Sequence, residues 1–344
     1  MMCDVSVKRT MGYVFSLALA MITIACGCNG NEPVTFTGRT MGTVYHITVI
    51  AEDPGTLSAL PEKIEDRLES INASMSVFDN GSELSRFNTR PKGDQFCVSD
   101  SFMKVFREGQ NLYRMTGGAW DGTVATLVDL WGFGPQPRTH TLPDGAAIKK
   151  NLAVVGFSKI EVRDGHCLIK TVDGLELDFG SIAKGFAVDE IAELLMALNI
   201  HNYLVEIGGE VRAGGKKNGK LWKVGINTPR PDAPVDQVIT AIELKDRSIA
   251  TSGDYRNFRT DNGKNYSHEI DPGTGWPINN NVAGVSVIAD TAMFADGLAT
   301  ALMVMGETKG LALVNTLDRV DCLFIVRDKN KGFRMIPSKG FLLK

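Results

Sequence analysis

Leu175-Glu176-Leu177-Asp178-Phe179-Gly180-Ser181-Ile182-Ala183-Lys184-Gly185 reads as a strand, Leu175–Phe179, that turns directly into a helix. Apolar positions then continue at helical spacing from Ile182 to Leu198, and Tyr203–Ile207 alternates as a second strand ending on Gly208-Gly209. A helix set so closely between two strands predicts a sheet with helices packed on it. The same alternation predicts further strands at Thr35–Arg39, Val44–Ile50, Ala153–Phe157, Lys159–Val162, Leu168–Thr171, Trp222–Ile226, Ile239–Leu244, Val282–Ile288 and Cys322–Val326. Leu57, Leu60, Ile64, Leu68, Ile71 and Met75 recur every three or four residues and predict a helix, with Pro61 in its tolerant first turns. Helices are also expected at Phe102–Met115, Ala292–Met305 and Lys309–Leu317. The chain is therefore read as a mixed α/β, more strictly α+β, body without repeats.

Composition narrows the function before any motif is used. The 344 residues are 43% hydrophobic and 22% charged, with 37 Lys plus Arg against 40 Asp plus Glu. A net charge of −3 leaves no broad basic face for a nucleic-acid backbone, so no nucleic-acid partner is expected. The six cysteines are too scattered for a disulfide framework and show no zinc spacing.

The first residues read as an address. Lys8 and Arg9 precede an apolar run, Met11 to Ala25, that is short for a membrane span and reaches Cys26. Thr23-Ile24-Ala25-Cys26 resembles a bacterial lipobox, although Thr23 replaces the usual Leu. This predicts a signal peptide over 1–25, lipidation (diacylglycerol, palmitate) at Cys26, a tether over 26–33 and a single domain over 34–344; the alternatives are plain secretion with cleavage nearby, or use of Cys28. The mature protein would then be lipid-anchored on the periplasmic side of a bacterial membrane, with 35 basic and 39 acidic side chains. Cys28, Cys97, Cys167 and Cys322 receive no predicted chemical role.

Two places break local rules. Ser181 suits an N-cap, but Lys184 then puts a cation in the first helical turn, where the macrodipole favours anions. A phosphate at that turn removes the conflict, because free N–H groups, dipole and ammonium would all point at it. The alternative is a lysine that snorkels into water. In Phe294-Ala295-Asp296-Gly297-Leu298-Ala299-Thr300 the apolar helix carries a carboxylate that needs a partner or a metal. Thr300 lies one turn on, and this hard oxygen pair suits Mg²⁺. The structural alternative has Asp296 bonded to a backbone turn and Thr300 to its own helix.

Of the five histidines only His268, in Ser267-His268-Glu269-Ile270-Asp271-Pro272, sits among polar residues that favour a functional role; His46, His140, His166 and His201 are expected to be structural or exposed. Ser181-Ile182-Ala183-Lys184 fits the SxxK pattern of acyl-transfer enzymes, but the accessory motifs are missing. The paired glycines Gly208-Gly209 and Gly214-Gly215 do not form a dinucleotide fingerprint.

Nine segments in order resemble the ApbE-type flavin transferases, the bacterial FAD:protein FMN transferases. They are Gly38–Thr43, Met75-Ser76 to Asn88, Gly118–Thr123, Leu130–Gly134, the turn at Asp178–Gly185, Gly208-Gly209-Glu210, Ser252–Tyr255, His268–Pro272 and Ala295–Ala301. The resemblance covers essentially the whole mature chain. It implies an ApbE (T-fold-like) body with antiparallel-rich sheets packed by helices, and a Mg²⁺-dependent transfer of FMN from FAD to a Thr or Ser hydroxyl, releasing AMP. FAD contacts are implied at Met41, Phe78, Ala119, Trp120, Asp121, Asp178, Lys184 and Ile270. The implied metal ligands are Asp296, Thr300 and the carbonyl of Ser181. The general base is expected to be Asp296, with His268 second, and the acceptors to be flavoprotein subunits of membrane redox complexes. FAD pyrophosphatase activity, or flavin binding without turnover, is the alternative.

Overall fold

The computed structural model describes residues 32–135, 141–234, 237–255, 257–261, 263–328 and 332–342. The expected signal peptide, Cys26, nearly all of the tether and His140 lie outside the described residues.

One eight-stranded sheet organises the chain, and its spatial order follows the sequence. The strands are Val34–Thr40, Thr43–Ile50, Asn202–Ile207, Glu210–Gly214, Arg247–Gly253, Val282–Ala289, Asp321–Arg327 and Phe333–Pro337. Every neighbouring pair is antiparallel. Each excursion of the chain therefore returns beside the strand it left. The longest excursion, between Ile50 and Asn202, carries six α-helices among the described residues, and those after Gly253 and Ala289 carry the remaining segments that matter below.

Period-two alternation divides the sheet's side chains between two cores. In Asp321–Arg327, Cys322, Phe324 and Val326 join the helix-side core, while Leu323 and Ile325 face the hairpin Trp222–Asn227/Val238–Leu244 on the other side. The helix side is covered by Ala183–Ala197 and Ala292–Val314, called here the lysine helix and the aspartate helix. These cross so closely that a Cβ on Gly185 would lie 2.3 Å from the Ala292 carbonyl oxygen. Any larger residue there would push the two helices apart. The aspartate helix breaks at Gly306, whose φ of 74° is left-handed, so the two predicted helices are real segments joined by a kink.

Three expectations are corrected. Leu175–Phe179 is not a strand: apart from one bridge from Glu176 to Val124 it is irregular, held where Asn88 bonds both the N–H and the C=O of Leu177. Ala153–Phe157 is the end of the Gly145–Leu152 helix and the turn after it, because the Asp144 side chain caps that helix. Cys97 and Cys167 are bonded to each other, S–S 1.99 Å, as opposed residues of neighbouring strands in a three-stranded sheet. A separation of 70 residues hides such a pairing from spacing arguments. Closing so long a loop restrains the unfolded chain, so replacing both cysteines by serine is expected to lower stability by about 2–4 kcal/mol in denaturant titrations. Unchanged stability would show the bond to be incidental to the fold.

Candidate active site

The excursions bring the conflicted residues of the sequence to one place. A cavity of about 430 Å³ is lined by Phe78, Ala119, Trp120, Asp121, Asp178, Ser181, Lys184, His268, Ile270, Asp296 and Thr300, together with Glu210 and Glu269. Met41 lines an adjoining lobe of about 290 Å³, which shares Phe78, Asp178 and Lys184 with the first. All twelve predicted site residues thus border one two-lobed space. Phe78 stands at the junction with 77% of its surface exposed, a large aromatic held out toward solvent.

At the centre is a single ammonium among carboxylates. Lys184 Nζ lies 3.2 Å from Glu210 Oε1 and 3.7 Å from Asp296 Oδ2. Asp296 Oδ2 also accepts the Gly185 N–H at 2.9 Å. The lysine therefore does not simply snorkel into water. Burial works against its charge, yet Asp296 and Glu210 outweigh that and raise its pKa. Burial raises the Glu210 carboxyl to about 8 and raises those of Asp296 and Glu269, with Lys184 opposing the shift in each. Asp178 is likewise raised by burial while its carboxylate accepts the Gly180 N–H at 2.6 Å. Asp121, raised to about 6 by burial, is held by the Thr123 N–H and hydroxyl.

Glu210 and Glu269 are charged groups of the cavity wall that sequence reasoning passed over. The signal for Glu210 was present. Gly208 and Gly209 both have positive φ and close a two-residue hairpin, which presents the next residue at the end of the sheet. Ser181 is not the N-cap of the lysine helix; Ile182 holds that position without a side-chain bond, and the Ser181 hydroxyl instead receives the Trp120 indole N–H at 3.0 Å. Trp120 packs its ring inward against Phe157. Thr300 shares a hydrogen bond with Ser252 at 3.1 Å rather than bonding its own helix. His268 Nδ1 lies 2.9 Å from the Asn257 carbonyl oxygen, and Nε2 lies 3.6 Å from Glu269. A carbonyl only accepts, so in the neutral ring Nδ1 carries the hydrogen and Nε2 the lone pair.

The charge pattern tests whether a cation belongs here. Burial favours the neutral forms of Glu210, Glu269 and Asp296, ionising all three against one lysine would repel a phosphate, and Glu210 Oε2 is buried without a hydrogen-bond partner. A divalent cation would reverse that balance. Among the described residues no cluster of three His, Cys, Asp or Glu side chains forms a complete metal cage. One carboxylate, one hydroxyl and one backbone carbonyl fit Mg²⁺, which completes its shell with water and substrate phosphate oxygens.

An α+β scaffold with a two-lobed cavity built around one lysine and buried acids suits a phosphate-bearing ligand, and the relatives of this chain are transferases. The chain belongs to the ApbE family, whose model matches residues 41–324. The FAD:protein FMN transferase of Vibrio cholerae is 41% identical over 329 residues, covering 94% of this chain and 97% of that protein. The FAD:protein FMN transferase of Treponema pallidum is 30% identical, covering 90% of each. Among solved structures, the flavin transferase ApbE of V. cholerae superposes with a TM-score of 0.82 at 40% identity, covering 90% of this chain and 98% of that one. The apo flavinyl transferase ApbE of Pseudomonas stutzeri gives 0.82 at 37% identity, with 92% and 98% covered.

Proposed function

We propose that this protein transfers FMN from FAD to a threonine or serine hydroxyl of another protein and releases AMP. The observation that carries this reading is the lysine and acid cluster facing a two-lobed cavity in a chain of this family. One lobe suits the flavin and the other the adenylate, with the pyrophosphate at their junction beside Lys184. Asp296, Thr300 and the Ser181 carbonyl would hold Mg²⁺, which when bound neutralises pyrophosphate charge. Lys184 adds a fixed positive charge, aligned before reaction begins.

The chain's own residues account for the rest of the step. The acceptor hydroxyl forms a new P–O bond to the FMN phosphorus as the bond to the bridging oxygen breaks, and AMP leaves with that oxygen. The hydroxyl proton goes to His268 Nε2, whose lone pair is set by the Nδ1 hydrogen bond to Asn257. Asp296 is less suited to take it, because its Oδ2 already accepts the Gly185 N–H. Phe78 closes over the flavin and limits water, which would otherwise yield FMN and AMP.

The reading extends to place. A lipid at Cys26 would hold the enzyme on the periplasmic side of a bacterial membrane, beside acceptor subunits of membrane redox complexes. The Cys97–Cys167 bond supports that location, since such bonds persist in oxidising compartments. Incubating the protein with FAD, Mg²⁺ and a flavoprotein acceptor should yield an acceptor band that stays fluorescent through denaturing electrophoresis. Free FMN and AMP with no labelled band would instead identify a pyrophosphatase, and intact FAD a flavin-binding protein.

A further inference from the structure

Asp189 lies outside the cavity, yet it joins the three elements that carry Lys184, Glu210 and Asp296. It sits five residues beyond Lys184 on the lysine helix and is 3% exposed. Its carboxylate accepts the N–H groups of Ala292 at 2.9 Å and Met293 at 2.8 Å, the first two residues of the aspartate helix. Arg212 Nη1, two residues after Glu210 on the same strand, closes the third contact at 2.7 Å. A carboxylate at a helix N-terminus satisfies free N–H groups and favours the macrodipole. Thr291 already caps that helix at the Phe294 N–H, so Asp189 acts as a second cap supplied by a different helix. Four residues after Ala292, Asp296 meets the Gly185 N–H, the only other hydrogen bond between the two helices given by the described residues.

We infer that Asp189 is a positioning residue: it sets the register of the aspartate helix against the lysine helix and the Glu210 strand, so that Asp296 and Thr300 stand where a divalent cation can be held next to Lys184. The inference rests on the proposed metal site. Its consequence is specific. Loss of the carboxylate lets the start of the aspartate helix shift along Gly185, which alters the cation site on that helix more than flavin contacts on other segments. Supporting groups of this kind change metal affinity by roughly 10- to 100-fold.

The test counts free Mn²⁺ by its EPR signal in solutions of the full chain with FAD, which reads cation binding without reference to turnover. Wild type should bind Mn²⁺ and Asp296→Ala should not, which places the ion. Asp189→Asn should bind at least roughly tenfold more weakly while its circular dichroism stays native. Leu195→Ala, which loosens the far end of the same helix, should bind like wild type. Equal affinity in folded Asp189→Asn overturns the inference while leaving the metal site standing. A matching loss in Leu195→Ala also overturns it, by showing a general effect of destabilisation. If Asp189→Asn does not fold, Arg212→Gln replaces it, with weaker Mn²⁺ binding expected and unchanged binding contradicting the inference. Wild type that binds no Mn²⁺ removes the metal site and the inference together.

Discussion

Replacing Asp296 by alanine is expected to abolish flavin transfer, a fall of roughly a thousandfold or more in kcat/KM, because several kcal/mol of charge stabilisation at the pyrophosphate would go with it. The side chain is 3% exposed and does two jobs. It receives the Gly185 N–H from the neighbouring helix, and it faces the Lys184 ammonium across 3.7 Å. Alanine suits the middle of a helix, and the remaining packing of the aspartate helix is apolar, so the fold should persist. Asp296→Asn keeps the size and one acceptor oxygen but not the charge, and should fail almost as completely. Native circular dichroism with lost transfer is the expected pair of results; full activity in either variant would remove Asp296 from the mechanism.

The second large effect is expected from Lys184→Met. Methionine fills the space of the lysine stem, so packing changes little, but the only ammonium lining the described cavity disappears. Glu210, already pushed up to about 8 by burial, and Asp296 then face each other with no counter-charge. Their pKa values should rise further, and an incoming pyrophosphate meets a wall that no longer attracts it. Both KM for FAD and kcat should suffer, with kcat/KM down roughly 10²- to 10³-fold, the scale of removing one preorganised charge contact. Steady-state rates at varied FAD and Mg²⁺ measure it. If added Mg²⁺ fully restored the rate, the lysine would be dispensable to charge balance.

How much of this was visible in the sequence depends on range. The lysine helix, the aspartate helix and most sheet strands follow from local periodicity, and even the break at Gly306 left its mark as two separate apolar runs. The cavity was visible through conflict: a cation in a first helical turn and a carboxylate in an apolar helix violate local rules, and both face the same space. Features made by distant partners were not visible. Nothing around Cys97 announces Cys167, and nothing around Asp189 announces the Ala292 and Met293 N–H groups. The expected strand at Leu175–Phe179 failed for a related reason, since its backbone groups are claimed by Asn88, far away in the chain. Ser181 looked like a cap by type, but the Trp120 indole takes its hydroxyl.

Charge count and site now agree. A chain of net −3 cannot recruit a phosphate ligand by bulk attraction, so the pull falls to Lys184 at one point, joined in the proposed function by a bound cation. In the proposed function this point delivers FMN to a protein hydroxyl. Mass spectrometry of a flavoprotein acceptor incubated with the enzyme, FAD and Mg²⁺ tests it most directly. The acceptor should gain the mass of FMN less one water on a single threonine or serine, with AMP appearing in equal amount. An acceptor of unchanged mass, with AMP and free FMN accumulating, would contradict it.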